Sequence, residues 1–309
     1  GHAITRNGNV TQGSFSPFAK DDGKWGVHFD GNSDYLDVPN NASWQFGTGD
    51  YTLEAWIYLE SLPASGSGFM IASYYKTQAG VYWSWQVRNN SGQMQIRVAN
   101  TGFDYDFQVG QWYHVVTTRE SSNLKAWVNG EYLGSLSETS NIPDNNVLLK
   151  IGVVQSTYSL AYSFYFHGYI SNLRITKGTA KYTGTSNITV PTSPYTDDSS
   201  NLLTCQSNRF IDNSSNDFSI TPQGTSKVTT FSPFPETTAY TRSTINQGAM
   251  EFDGTTDYLT VSASTDFAYG TGDFTVEFWA YFDSITNYDT VYIHDGASGS
   301  LQLFFVSGK

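Results

Sequence analysis

Apolar residues in this chain alternate with polar ones far more often than they recur at helical spacing. In Met94-Gln95-Ile96-Arg97-Val98 every second residue is apolar, and Trp83-Ser84-Trp85-Gln86-Val87-Arg88 follows the same rule. Period two sends successive side chains to opposite faces of a sheet, so these segments are predicted as strands. Residues 51–58 are apolar or aromatic on both phases apart from Thr52 and Glu54, the pattern of a central strand covered on both sides. The stretch 124–133 contains Asn129-Gly130, two residues that tolerate positive φ, which predicts a type I′ hairpin. Many short strands separated by Gly, Asn and Ser turns, with no helical stripe, predict an all-β fold of two antiparallel sheets.

The pattern also repeats. Phe29-Asp30-Gly31-Asn32-Ser33-Asp34-Tyr35-Leu36 returns as Phe252-Asp253-Gly254-Thr255-Thr256-Asp257-Tyr258-Leu259, and the segment 46–56 returns at 269–279. Both are displaced by the same amount, since 252 − 29 = 223 and 269 − 46 = 223. Phe15-Ser16-Pro17-Phe18 returns as Phe231-Ser232-Pro233-Phe234, displaced by 231 − 15 = 216, so seven residues are inserted between the blocks. Fixed displacement over this length signals a tandem domain. The expected division is a first domain over 1–200, its leading strand missing or supplied by 202–211, and the N-terminal half of a second copy over 201–309. The segment 189–200, with Pro191, Pro194 and a Ser/Asp cluster, is expected to link them. On this reading the chain is a fragment of a longer array.

Composition narrows the function classes. Aromatic residues make up 16% and charged residues only 14%, against about 25% in an ordinary domain. The surface must therefore be built mainly from Ser, Thr, Asn, Gln and Gly. With 16 Lys plus Arg and a net charge of −12, the chain lacks the basic stripe that nucleic acid or anionic lipid requires. The single cysteine, Cys205, excludes an internal disulfide and has no basic neighbour in sequence to activate it. No apolar run approaches the ~18 residues that a membrane-spanning helix needs.

The ordered blocks resemble the concanavalin A-like, laminin G-like jelly roll. They are Phe29-Asp30-Gly31, Asp34-Tyr35-Leu36, the segment 51–56, Gln111-Trp112-Tyr113-His114-Val115, Trp127-Val128-Asn129-Gly130, Ile151-Gly152 and the segment 166–175. The segments 168–182 and 205–214 are similar to the form of this domain found in phage virion proteins. The resemblance implies a jelly-roll sandwich, one complete copy plus a truncated second. It places the chain at a virion surface, as a non-enzymatic fibre, appendage or decoration component. Other virion proteins, copies of itself and host surface polysaccharide are then the expected partners, without nucleic acid or membrane insertion. A bacterial lectin-like adhesin is the alternative, and a glycan depolymerase the third reading. The fold alone implies no activity.

Candidate chemistry is sparse. Glycan hydrolysis needs two carboxyls about 5–5.5 Å apart for retention. Glu251 and Asp253 have partial strand spacing, but the first copy offers His28 and Asp30 at those positions, and Glu54 and Glu277 stand isolated. No catalytic residue is therefore assigned. The five histidines show no metal-ligand spacing, and His114 and His167 fall in strand blocks where packing suffices. Asp30, Asn32 and Asp34 resemble the first half of a calcium loop, since hard cations take clustered oxygen ligands. An Asx-stabilised turn is the competing reading. Trp83, Trp85, Tyr158 and Tyr162 are candidate stacking platforms for sugar rings, although aromatics at period two more often fill a sheet core.

Overall fold

The structure, a computed structural model, describes residues 4–7, 11–13, 22–75, 83–143, 146–154, 164–196, 199–234, 249–267, 269–280, 282, 289–296 and 299–305. Its strands are β1 (Ile4–Asn7), β2 (Thr11–Gly13), β3 (Gly26–Asp30), β4 (Tyr35–Val38), β5 (Tyr51–Leu59), β6 (Gly68–Tyr74), β7 (Trp83–Asn90) and β8 (Gln93–Val98). Next come β9 (Thr101–Asp104), β10 (Trp112–Glu120), β11 (Asn123–Val128), β12 (Glu131–Ser137), β13 (Leu149–Ile151), β14 (Val153–Val154), β15 (Phe164–Tyr165) and β16 (His167–Lys177). The remainder are β17 (Leu202–Thr204), β18 (Thr221–Gln223), β19 (Lys227–Thr229), β20 (Ala249–Glu251), β21 (Tyr258–Val261), β22 (Asp289–Gly296) and β23 (Gly299–Phe305). The chain divides into two compact units, Ala19–Arg242 and the pair Gly1–Phe18 with Ser243–Lys309.

The larger unit is the predicted sandwich. One sheet runs β12-β11-β10-β5-β16-β3-β19, with β17 also paired to β16; the other runs β18-β4-β13-β6-β7-β8-β9. β5 is central, hydrogen-bonded to β10 on one side and β16 on the other. That placement explains its two-phase apolar pattern: Leu53, Ala55, Ile57 and Leu59 face the core, while Glu54 and Trp56 are buried on the opposite face. The predicted hairpin joins β11 to β12, with Asn129 at φ 49° and Gly130 at φ 81°.

Aromatic rings fill the space between the sheets. Phe46 stacks between Tyr51 and Trp83, at 4.4 and 5.2 Å between ring centroids. Arg119 is wholly buried beside them. Its guanidinium donates to the carbonyls of Gly49, Ser140 and Gly47, each at 2.8 Å, and lies 4.8 Å from the Tyr51 ring centre. Carbonyl dipoles and a ring face thus replace the lost water around this cation.

Of the two placements expected for 202–211, its strand lies in the larger unit: β17 pairs with β16, and beyond it β18 pairs with β4 and β19 with β3. Leu202 and Cys205 join the core, because the β3–β4 and β16 edges would otherwise present unpaired backbone groups. In the smaller unit, the described strands pair as β1·β21, β2·β20 and β22·β23. Residues 273–280 make no ladder there, and Phe252 is 49% exposed where Phe29 is wholly buried. At Phe252 and over 273–280 the sequence repeat is therefore not matched by a repeat of packing. In the larger unit β5 is held between β10 and β16.

Candidate functional site

The outer face of the eight-stranded sheet has a covered half and an open half. Alternation along β5 turns Glu54, Trp56 and Tyr58 outward together. Glu54 and Trp56 lie in the covered half, beneath Tyr195, Leu203 and Phe234. Arg174 Nε donates to Glu54 Oε2 at 3.0 Å and its Nη2 donates to the same oxygen. Tyr182 donates to Oε1 at 2.5 Å, and His114 Nε2 lies 2.9 Å from Oε1 and 3.0 Å from the Tyr195 hydroxyl. A carboxylate only accepts, so this His114 nitrogen carries the proton. Burial by itself would raise the Glu54 pKa, but the His114 hydrogen bond and the Arg174 charge overcome it and hold the carboxyl at about 2. The same carboxylate, together with burial, pushes the Tyr182 and Tyr195 phenols up. A carboxyl so firmly ionised and wholly enclosed is a structural anion rather than a general acid.

The open half is a row of cross-strand neighbours. In register, Trp112 on β10 faces Tyr58 on β5, Tyr58 faces Tyr169 on β16, and Tyr169 faces His28 on β3. Ring centroids are 5.7 Å apart for Tyr58–Trp112, 5.8 Å for Tyr58–Tyr169 and 4.7 Å for His28–Tyr169. Phe231, just beyond β19 and 41% exposed, packs 4.8–5.4 Å from Tyr58, Trp112 and Tyr169. Glu60 stands at the edge, its Oε2 3.1 Å from His28 Nε2 and 3.4 Å from His167 Nε2. Burial and the Glu60 charge raise the Tyr169 pKa, which keeps that phenol a neutral donor. Partly exposed rings beside a carboxylate and hydroxyls offer apolar faces and hydrogen-bond partners together. The backbone allows the row because Gly168, at φ 137°, brings β16 against β5; a Cβ there would sit 2.0 Å from the Tyr58 carbonyl oxygen.

The residues singled out in sequence lie elsewhere. Trp83 and Trp85 have no exposed surface; they share the inward phase with Val87, and Trp83 donates its indole N–H to the Trp44 carbonyl at 3.0 Å. Neither presents a face to a sugar, so the stacking expectation is corrected to core packing. Tyr158 and Tyr162 lie outside the described residues.

Asp30, Asn32 and Asp34 do come together, as a turn. Asp30 Oδ1 accepts the backbone N–H groups of Asn32, Ser33 and Asp34 at 2.8–3.0 Å, and Oδ2 accepts the Ser33 hydroxyl. Against the upward pull of burial, these bonds lower its pKa to about 2. Asp34 is buried and accepts from Asp30 N at 3.0 Å and Thr225 N at 2.5 Å. Among the described residues no cluster of three or more His, Cys, Asp or Glu side chains is placed to hold a metal. The geometry is that of the Asx-stabilised turn. Cys205 is buried in the core, which raises its thiol pKa to about 12 and makes it unreactive.

The larger unit is a two-sheet antiparallel sandwich that matches the concanavalin A-like fold. Residues 30–181 match the model of the concanavalin A-like lectin/glucanase superfamily. Among solved structures, one similar protein comes from Bacteroides ovatus and is described as a candidate carbohydrate binding protein. It shares 15% identity and a TM-score of 0.47, and the match covers 68% of this chain and 60% of that one. Domain 4 of AbnA, an extracellular arabinanase of Geobacillus stearothermophilus solved with arabinotriose, shares 17% identity over 58% of this chain and 83% of its own, with a TM-score of 0.41. Domains LG4-5 of the mouse laminin alpha1 chain share 14% identity over 54% and 46%, with a TM-score of 0.37. No curated protein sequence matches the chain. Among the described residues no helix is long and apolar enough to cross a membrane.

Proposed function

We propose that the larger sandwich is a non-catalytic glycan-binding module of an extracellular surface protein, and that it binds sugar at the row Trp112–Tyr58–Tyr169 with Phe231 and Glu60. The observation that carries this reading is the partly exposed aromatic row itself, set beside a carboxylate and facing outward on the sheet face where Trp56 is covered. Sugar rings present C–H faces that pack on aromatic faces, while Glu60 and the tyrosine hydroxyls suit their equatorial hydroxyls. The enclosed, strongly ionised Glu54 offers no proton-transfer partner to a glycosidic bond, which favours binding over cleavage.

We place this module on a virion appendage or capsid decoration, in contact with host surface polysaccharide. Support comes from the resemblance of 168–182 and 205–214 to the phage virion form and from the tandem sequence repeat. A glycan array of bacterial surface polysaccharides, read with the whole chain, tests the binding. Phe231→Ala and Glu60→Gln should each weaken the best ligand by roughly 2- to 10-fold while melting temperature holds, the size expected for one ring contact or one polar contact. Absence of any saturable polysaccharide binding, or binding unaffected by both changes, would remove the proposal.

A further inference from the structure

The elements that close the β3–β4 edge of the larger sandwich have a second copy at the start of the chain. Residues 220–234 read Ile-Thr-Pro-Gln-Gly-Thr-Ser-Lys-Val-Thr-Thr-Phe-Ser-Pro-Phe, and residues 4–18 read Ile-Thr-Arg-Asn-Gly-Asn-Val-Thr-Gln-Gly-Ser-Phe-Ser-Pro-Phe, at a constant displacement of 234 − 18 = 216. The pairings obey the same correspondence. On β4, Thr221, Pro222 and Gln223 face Asp37, Leu36 and Tyr35; on β21, Thr5, Arg6 and Asn7 face Thr260, Leu259 and Tyr258. On β3, Lys227, Val228 and Thr229 face His28, Val27 and Gly26; on β20, Thr11, Gln12 and Gly13 face Glu251, Met250 and Ala249. Shifting the hairpin by 216 and the edge by 223 converts each pair of the first set into a pair of the second.

Connectivity is opposite in the two cases. The strands β18 and β19 follow the strands they cover, whereas β1 and β2 precede theirs, β2 lying 249 − 13 = 236 residues before β20. Register is therefore set by the closing strands and the edges they meet, not by the chain between them. The edge carries its own receptor for the turn: Asp34 accepts from Thr225 N and its hydroxyl at 2.5 and 3.2 Å, and Asp257 stands at the corresponding position, accepting from Asp253 N at 3.2 Å as Asp34 accepts from Asp30 N. An uncovered edge pair exposes backbone donors and acceptors, so an occupant is favoured whatever its origin.

We propose that this hairpin is an exchangeable closing element, and that in an assembly of two copies of this chain, residues 4–13 of one copy cover the 249–261 edge of the other. Exchange of an identical element conserves every bond it makes, which is why it joins protomers at little energetic cost.

The test is disulfide capture in the full chain. Thr5 and Thr260 are exposed register partners, the Thr260 hydroxyl donating to the Thr5 carbonyl at 3.5 Å, so Thr5→Cys and Thr260→Cys place two thiols across one ladder. The two single variants are co-expressed and oxidised, with each single variant plus wild type as the control for buried Cys205. The expected result is a reducible dimer from the mixture, absent from both controls. The proposal is overturned if a Thr5→Cys/Thr260→Cys double variant closes only within one chain while the mixture stays monomeric. It is also overturned if neither closes, since the register itself would then be wrong.

Discussion

Replacing Arg174 by Met would remove the guanidinium paired with the wholly buried Glu54 carboxylate. Arg174 faces Glu54 across the β16–β5 ladder and donates to it from Nε and Nη2, with Glu54 wholly buried. Breaking a buried pair by removing one partner typically destabilises by about 3–5 kcal/mol, because the remaining charge keeps its desolvation penalty. The Glu54 pKa leads to a similar figure. Its depression from 4.5 to about 2 corresponds, at 1.36 kcal/mol per unit, to about 3 kcal/mol for the carboxylate with all its partners. Urea unfolding followed by tryptophan fluorescence at pH 7 should therefore show Arg174→Met less stable by about 3 kcal/mol. In wild type, the Glu54 contribution is fully present above pH 4.5 and is lost as pH falls toward 2, since the folded form holds its proton less tightly than the unfolded form. In the variant the folded carboxyl takes up a proton more readily, so the gap between the two proteins should narrow over that window. A difference below about 1 kcal/mol at pH 7, or one that stays constant down to pH 2, would refute the account of Glu54 as a paired, ionised anchor.

Two further substitutions test the backbone of the site. Gly168→Ala places a Cβ 2.0 Å from the Tyr58 carbonyl oxygen at φ 137°, so it should cost at least about 1–3 kcal/mol in the same unfolding assay; a stability equal to wild type would contradict the close approach of β16 and β5. Asp30→Ala removes the acceptor of three backbone N–H groups and should destabilise by about 1–3 kcal/mol, while calcium or a chelator leaves the wild-type melting temperature unchanged. A melting temperature that rises with calcium would restore the metal reading.

Strand parity was legible in the sequence, and parity alone decides much of the site. Residues 94–98 and 83–88 fix which face each side chain takes, and the inward phase holds Trp83, Trp85 and Val87 as a core requires. The same rule puts Tyr58 in phase with Glu54 and Trp56 and out of phase with Leu53 and Ile57, so Tyr58 could have been recognised as outward. What parity could not supply was the partner across the ladder. Trp112, Tyr169 and His28 become neighbours only through registers between strands 54 to 141 residues apart. Nor could it show the covering: Trp56 is outward by phase yet buried, because Tyr195 and Phe234 lie over it. Glu54 was noted as isolated along its own strand, and its partners arrive from β10, β16 and the segment 182–195. The repeat was legible as a displacement, but whether each copy finds partners depends on pairing between segments, which similarity of sequence does not guarantee.

The closing hairpin ties the two proposals together. Its trailing Phe-Ser-Pro-Phe sets one ring on each half of the outer sheet face: Phe231 packs on the open aromatic row, and Phe234 meets Trp56 edge-on at 5.5 Å in the covered half. The aromatic row is thus not finished by β5, β10 and β16 alone; it includes Phe231, from the element that seals the β3–β4 edge. In the other copy of the motif, Phe15 and Phe18 stand at the positions of Phe231 and Phe234. The fifteen-residue motif recurs with the spacing of Gly8, Phe15 and Phe18 the same as that of Gly224, Phe231 and Phe234.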